Sequence, residues 1–236
     1  MESRAAIMNA GGKSARAEIL GRIGASLGRG SGPQERRAGV EARLAAPPPP
    51  LIPALAPTGS GGRIEHFRSR AEATSASTAR INRWQELPGA VATYLDDRDL
   101  SGPIKAQPRP PFTDLDWRAF EVAFGPADAV DQTGLVLADA GAAETGTLFL
   151  MSGAEAPTAL NFLPETLIAV LPVAVLAGDY EAAWAICRET AGNQFPPRTV
   201  NWISGPSRSA DIEQQVQMGV HGPRNLHIIL VDTDGA

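Results

Sequence analysis

The chain has 236 residues, 43% of them apolar and 20% charged, enough to bury a core in one extended domain or two small ones, which excludes a wholly disordered protein. Its single cysteine, Cys187, excludes an internal disulfide, a Cys-based zinc site and a self-contained iron–sulfur cluster. The net charge of −5 hides an asymmetry: residues 1–45 carry eight Lys/Arg against four Asp/Glu, residues 111–236 five against sixteen, and so acidic a body argues against nucleic-acid binding.

In chain order, residues 14–28 predict a short amphipathic helix, with Ile19, Leu20, Ile23 and Leu27 on one face and Gly28 as a stop. Arg4, Lys13, Arg16 and Glu18 interrupt the start of the chain, so no signal peptide is expected and a reducing cytoplasm is the default location. From Gly28 to Gly62 prolines accumulate at Pro33, Pro47–Pro50, Pro53 and Pro57, which predicts an extended linker and a tethered first helix. The domain reading is therefore an N-terminal helical segment at 1–30, a Pro/Gly-rich linker at 31–62 and a folded domain at 63–236. Helices are expected over Arg63–Arg80, where Ile64, Phe67 and Ala71 share a face, and over Trp84–Leu95.

Beyond about residue 101 the pattern changes to short apolar runs between turns: 134–138, 147–151, 167–171, 200–203 and 226–231. Such continuous runs are what strands buried on both faces look like. Asp179–Thr190 reads as a helix with Tyr180, Ala183, Trp184 and Cys187 on one face. Strand and helix alternation predicts an α/β fold with a mixed, largely parallel sheet. The longest apolar stretch, Leu167–Ala177, is interrupted by Pro172 and is too short for a membrane span.

Three segments carry chemistry. In Asn201-Trp-Ile-Ser-Gly-Pro-Ser-Arg-Ser-Ala-Asp-Ile-Glu213 a strand is expected to end at Ser204, followed by a turn and a helix capped by Ser207 or Ser209 and containing Asp211. Free N–H groups at such a helix start, with Ser204, Gly205, Ser207 and Ser209 around them, make an anion site; the plain alternative is an ordinary Ser-capped corner. Gly219-Val-His-Gly-Pro223 then holds His221 in a tight turn, as an acid–base group or as a turn histidine bonded to a carbonyl. In Ala142-Ala-Glu-Thr-Gly-Thr147, Glu144 is a nucleophile, a general base or a simple hydrogen-bond acceptor at a strand edge, or else a solvated loop carboxylate. Asn161-Phe-Leu-Pro-Glu165 offers a further amide and carboxylate; His227 reads as structural and His66 carries no signal.

Other patterns fail. Gly12-Lys13-Ser14 lacks the earlier glycine and the strand of a phosphate loop, and no G-x-G-x-x-G follows a strand. Three dispersed histidines and one cysteine give no metal-ligand spacing, there is no G-x-S-x-G elbow, and Cys187 reads as core.

The segments 201–213 and 219–223 together closely resemble the C-terminal signature of the LUD-domain family, in its lactate-utilisation branch. Ala143-Glu-Thr-Gly-Thr147 resembles that family's Ala-Glu-Ser-Gly-Thr, with Thr145 in place of the usual serine, and Asn161-Phe-Leu-Pro and Leu167-Ile-Ala-Val follow in the family's order. The resemblance covers residues 130–234 and is weak over 30–125. It implies an α/β sandwich like that of the sugar-phosphate isomerase, ribose-phosphate isomerase and CoA-transferase group. It implies, too, a cytoplasmic subunit that helps oxidise L-lactate to pyruvate beside iron–sulfur and Cys-rich partner subunits, with no cofactor or metal expected on this chain. On that reading Ser204, Gly205, Ser207, Ser209 and Asp211 form the corner for a small carboxylate. Glu144, Thr145 and Gly146 face it, and His221 serves as base. The alternatives are a CoA-transferase with Glu144 as nucleophile, a sugar-phosphate isomerase-like enzyme, or a non-catalytic scaffold recruited through the N-terminal helix and its tether.

Overall fold

The computed structural model describes residues 15–27, 32–46, 49, 51, 60–118, 120–210 and 216–232. It divides into two compact units, residues 1–51 and residues 52–236.

In the first unit α1 spans Ala15–Ser26 and buries no residue; Ile19, Leu20, Ile23 and Leu27 are all exposed. A second helix, α2, runs over Pro33–Ala45 and corrects the expectation of an extended linker there. Pro33 sits at the first helical position, where its missing N–H costs nothing, and Arg37 pairs with Glu41 one turn on at 2.8 Å. Proline content misled because one proline at a helix start is a helix signal, not a breaker. Pro47, Pro48, Pro50 and residues 52–59 lie outside the described residues.

The second unit opens with α3, Ser60–Ala73, shorter than the expected 63–80 helix. Ser75 adopts φ 72°, the chain turns, and Ser77–Ile81 becomes strand β1. Partnership decides the matter: Ser77, Thr78 and Ile81 pair in parallel with His227, Ile228 and Val231. Helix α4 (Leu87–Asp97), β2 (Ile104–Ala106), β3 (Val122–Phe124), β4 (Thr133–Leu137), β5 (Ala140–Ala142) and β6 (Thr147–Met151) follow. Then come β7 (Thr166–Pro172), β8 (Leu176–Ala177), α5 (Tyr180–Ala191), β9 (Val200–Ile203), β10 (Arg208–Ala210), β11 (Val216–Met218) and β12 (Asn225–Val231).

A six-stranded sheet, in the order β1-β12-β7-β4-β2-β3, is parallel throughout. A four-stranded sheet, β8-β5-β6-β9, is antiparallel except for the β5–β8 pair, and β10 with β11 forms a small hairpin. The fold is thus mixed α/β with a largely parallel central sheet. The period-2 alternation of a strand explains the continuous apolar runs. Leu167, Ala169 and Leu171 of β7, with Leu226, Ile228 and Leu230 of β12, pack toward α3 and the second sheet. Ile168, Val170, Ile229 and Val231 pack the other way, against Leu87, Val91 and Leu95 of α4. In β6, Leu148 and Leu150 join the central core, while Phe149 faces Ala183 and Cys187 of α5. Burial pushes the Cys187 thiol pKa up to about 11, with the charge of Asp139 adding to it, in keeping with a core residue.

Candidate functional site

The turn between β5 and β6 carries Glu144, Thr145 and Gly146, and the end of β9 carries Ser204 and Gly205. Because β6 and β9 pair antiparallel, with Leu148 opposite Ile203, these two sequence-distant segments meet at one end of the second sheet. Thr147 Oγ1 lies 2.6 Å from Ser204 Oγ, 2.7 Å from Thr145 Oγ1 and 2.8 Å from the Tyr180 hydroxyl. Tyr180 also accepts a hydrogen bond from Thr145 at 3.2 Å. The hydroxyl chain runs from buried Thr147, through half-buried Thr145 and Tyr180, to exposed Ser204.

Glu144 is 7% exposed, so of its expected readings the hydrogen-bond acceptor describes its place, rather than an open nucleophile or a solvated carboxylate. One carboxylate oxygen accepts from the backbone N–H of Tyr180 at 3.1 Å, and Asp179 accepts from that of Ala182 at 2.8 Å. Two carboxylates therefore occupy the positive end of α5, which is their preferred electrostatic position.

The same corner is pressed onto the C-terminal turn of α3. A Cβ on Gly146, at φ +69°, would come within 2.5 Å of the Ala71 nitrogen; one on Gly205, at φ +136°, would come within 2.9 Å of the Thr74 carbonyl. Arg70 donates through Nε to the Glu144 carbonyl at 3.0 Å. Its two terminal nitrogens make no hydrogen bond among the described residues, so an exposed arginine is anchored to the same turn that carries Thr145 and leaves donors open. Arg208 donates to the Thr74 carbonyl and the Ser75 hydroxyl, closing the C-terminal end of α3.

The predicted helix after Ser207 is not there. Arg208–Ala210 is strand β10, paired antiparallel with Val216–Met218, Arg208 opposite Met218. Ser207 therefore caps no helix: its N–H donates to the Pro223 carbonyl at 2.8 Å and its carbonyl accepts from Gly219 at 3.0 Å. With a strand in place of the helix, the cluster of free N–H groups at a helix start that the anion corner needed does not form. Ser209 lies within β10, and Asp211 lies outside the described residues.

His221 is exposed, and its backbone N–H donates to Ser207 Oγ at 3.3 Å. With Phe162, Glu165 and Arg224 it lines a cavity of about 560 Å³, none of whose lining residues belongs to the Thr145–Tyr180–Ser204 cluster. That cavity opens beside the first residues of β7 and β12, Thr166 and Asn225. The structure thus brings Glu144, Thr145, Gly146, Ser204 and Gly205 together and leaves Ser207 and His221 elsewhere.

His227 is buried as expected of a structural residue, its ring stacked 4.0 Å from that of Tyr94 and its Nδ1 2.8 Å from Ser77 Oγ. Burial, with the charge of Arg98, lowers its pKa to about 4. Among the described residues no three His, Cys, Asp or Glu side chains gather as a metal site, and no helix is long and apolar enough to cross a membrane. Sequence reasoning missed Tyr180 and Arg70. Tyr180 shares an apolar helix face with Ala183, Trp184 and Cys187, and nothing local distinguishes Arg70 from the other arginines of α3.

Residues 127–231 match the family of the LUD domain. A lactate utilization protein C of Geobacillus kaustophilus is 39% identical over 107 residues, 44% of this chain and 45% of that protein. A lactate utilization protein C of Bacillus subtilis is 36% identical over 99 residues, 42% of this chain and 41% of that protein. The chain therefore matches less than half the length of either relative. The crystal structure of a DUF162 family protein from Deinococcus radiodurans shares the fold, with a TM-score of 0.54 at 23% identity, over 74% of this chain and 99% of that one.

Proposed function

We propose that this chain, whose residues 127–231 match the LUD domain, serves lactate utilisation as the substrate-binding subunit of a cytoplasmic system oxidising L-lactate to pyruvate. That oxidation removes two electrons and two protons from lactate. A chain with one cysteine, and that one buried, holds no iron–sulfur cluster of its own, so the electrons pass to iron–sulfur and Cys-rich partner subunits.

The observation that carries the reading is the convergence of Thr145, Thr147, Tyr180 and Ser204 within 2.6–3.2 Å, with Arg70 anchored to the same turn and its other donors open. Lactate has a carboxylate and a neighbouring hydroxyl. The guanidinium suits the first by charge-assisted pairing, and the hydroxyl chain suits the second. The base role expected of His221 does not enter, since it lines a cavity to which none of these residues belongs. A nucleophilic Glu144 is disfavoured by its burial and its bond to the Tyr180 N–H.

Complementation of a strain lacking the protein, grown on L-lactate as carbon source, tests this. Arg70→Met and Tyr180→Phe are expected to abolish or slow growth on lactate while His221→Ala supports it. Parental growth of the Arg70 and Tyr180 variants would remove the substrate from this corner.

A further inference from the structure

A second cavity lies where the parallel sheet changes direction. After β2 the chain moves outward to β3 at the sheet edge; after β4 it moves the opposite way, through the second sheet, to β7. Adjacent parallel strands whose connections leave in opposite directions open a crevice beyond their carboxyl ends, the usual place for a ligand in such sheets. Here the crevice is a cavity of about 430 Å³, within the range of small-molecule sites. Each of the two strands sends one charged residue into it: Arg109 from just past β2, and Asp139 from just past β4.

The Arg109 guanidinium is held, not free. Nε donates to Gln107 Oε1 at 3.1 Å, Nη2 to the Leu137 carbonyl at 2.7 Å, and Nη1 reaches Asp139 at 3.4 Å. Gln107 is itself fixed, accepting from the Leu137 N–H at 2.8 Å. Of the five N–H donors of an arginine, two are left for a ligand. Asp139 spends its other oxygen on the Met151 N–H at 2.7 Å. Other groups in the lining favour a positive charge. Glu155 is exposed there and makes no ion pair among the described residues, while Thr190 and Ala191 bring the carbonyl end of α5 to the cavity.

An anion alone would meet Arg109 but also Asp139, Glu155 and the helix end. A cation alone would meet Arg109. A ligand with both charges matches both sets of groups. We infer that this cavity binds a small zwitterion of the α-amino acid class, its carboxylate on the two remaining donors of Arg109 and its ammonium toward Glu155 and the last carbonyls of α5. Burial raises the Asp139 pKa, against the opposing pull of Arg109 and the Met151 N–H. The inference is independent of the lactate reading, because no residue lining this cavity belongs to the hydroxyl cluster.

Calorimetric titration of the full chain tests it with L-alanine and L-leucine, with 2-hydroxyisocaproate, which lacks the ammonium, and with isoamylamine, which lacks the carboxylate. One of the amino acids is expected to bind at least about tenfold more tightly than either analogue. Arg109→Met and Glu155→Gln are each expected to weaken it by about tenfold or more, and Tyr180→Phe to leave it unchanged. Equal binding of the amine, equal binding of the hydroxy acid to the Arg70→Met variant, whose lactate corner is disabled, no binding of either amino acid, or an unaffected Glu155→Gln variant overturns the inference. Should Arg109→Met fail to fold, Glu155→Gln decides alone, since its exposed side chain supports no packing. L-Lactate titrated onto Arg70→Met separates the two sites: loss of lactate with amino-acid binding intact is expected. Loss of amino-acid binding there counts against a separate site.

Discussion

Strands β7 and β12 bury every side chain from Leu167 to Leu171 and from Leu226 to Val231, whereas β9 buries none and leaves Trp202 55% exposed. The difference comes from layering. The six-stranded sheet is covered on one face by α4 and on the other by α3 and the second sheet; β9 is the edge of its own sheet. A strand covered on both faces holds a polar side chain only where a protein partner satisfies it, as Ser77 does for His227. A strand at an edge can end in Ser204 and hold it 2.6 Å from a buried threonine. The central sheet supplies rigidity, and the four-stranded sheet supplies hydroxyls at its wet end.

The largest expected effect lies in the doubly covered sheet. Leu167→Ala should cost about 4 kcal/mol in urea unfolding, since Leu167 is fully buried and close-packed neighbours refill a cavity poorly. A cost near 1 kcal/mol would mean that the two-sided core is looser than its burial implies. Acid comes next. Folded His227 takes a proton only near pH 4, while in the unfolded chain it does so near 6.5. The stability tied to the neutral ring is fully present above about 6.5 and is lost as pH falls toward 4, in total about 3 kcal/mol. His227→Phe should flatten that part of the stability–pH curve; an unchanged slope would assign it to other groups.

On the edge strand the effects shrink. Trp202→Ala should cost only about 1.5 kcal/mol, chiefly its ring contacts with Phe149, Tyr180 and Trp184, although it removes more atoms than Leu167→Ala. A loss as large as that at Leu167 would erase the contrast between the sheets. Smallest is Tyr180→Phe, about 1 kcal/mol by thermal unfolding, for the hydroxyl bonds to Thr145 and Thr147. Unchanged stability together with lost growth on lactate would sharpen its role from structural to ligand-binding.

Where sequence reading succeeded, the signal was local. The runs at 134–138, 147–151, 167–171, 200–203 and 226–231 correspond to β4, β6, β7, β9 and β12, and Asp179–Thr190 to α5 with Asp179 as its cap. Where it failed, partnership decided. Residues 77–81 read as the tail of a helix until His227 to Val231 offered a parallel neighbour. Arg208–Ala210 read as a capped helix until Val216–Met218 folded back on it. Half of the site was legible as motifs, Glu144 to Thr147 and Ser204 to Gly205. Arg70 and Tyr180 were not, because a guanidinium on a polar helix and a phenol on an apolar helix face look ordinary until the chain brings them to the same corner.

The α/β class, the positions of the buried strands and the two motifs follow from local pattern, because side-chain alternation and turn residues act over a few positions. Which of those motifs meet depends on how the sheets assemble. That assembly joins Thr145 to Ser204 through the β6–β9 pairing, sets His221 apart, and places Arg109 against Asp139 across the point where the sheet reverses. These are contacts between residues far apart in the chain, and their energies depend on geometry that no local pattern encodes.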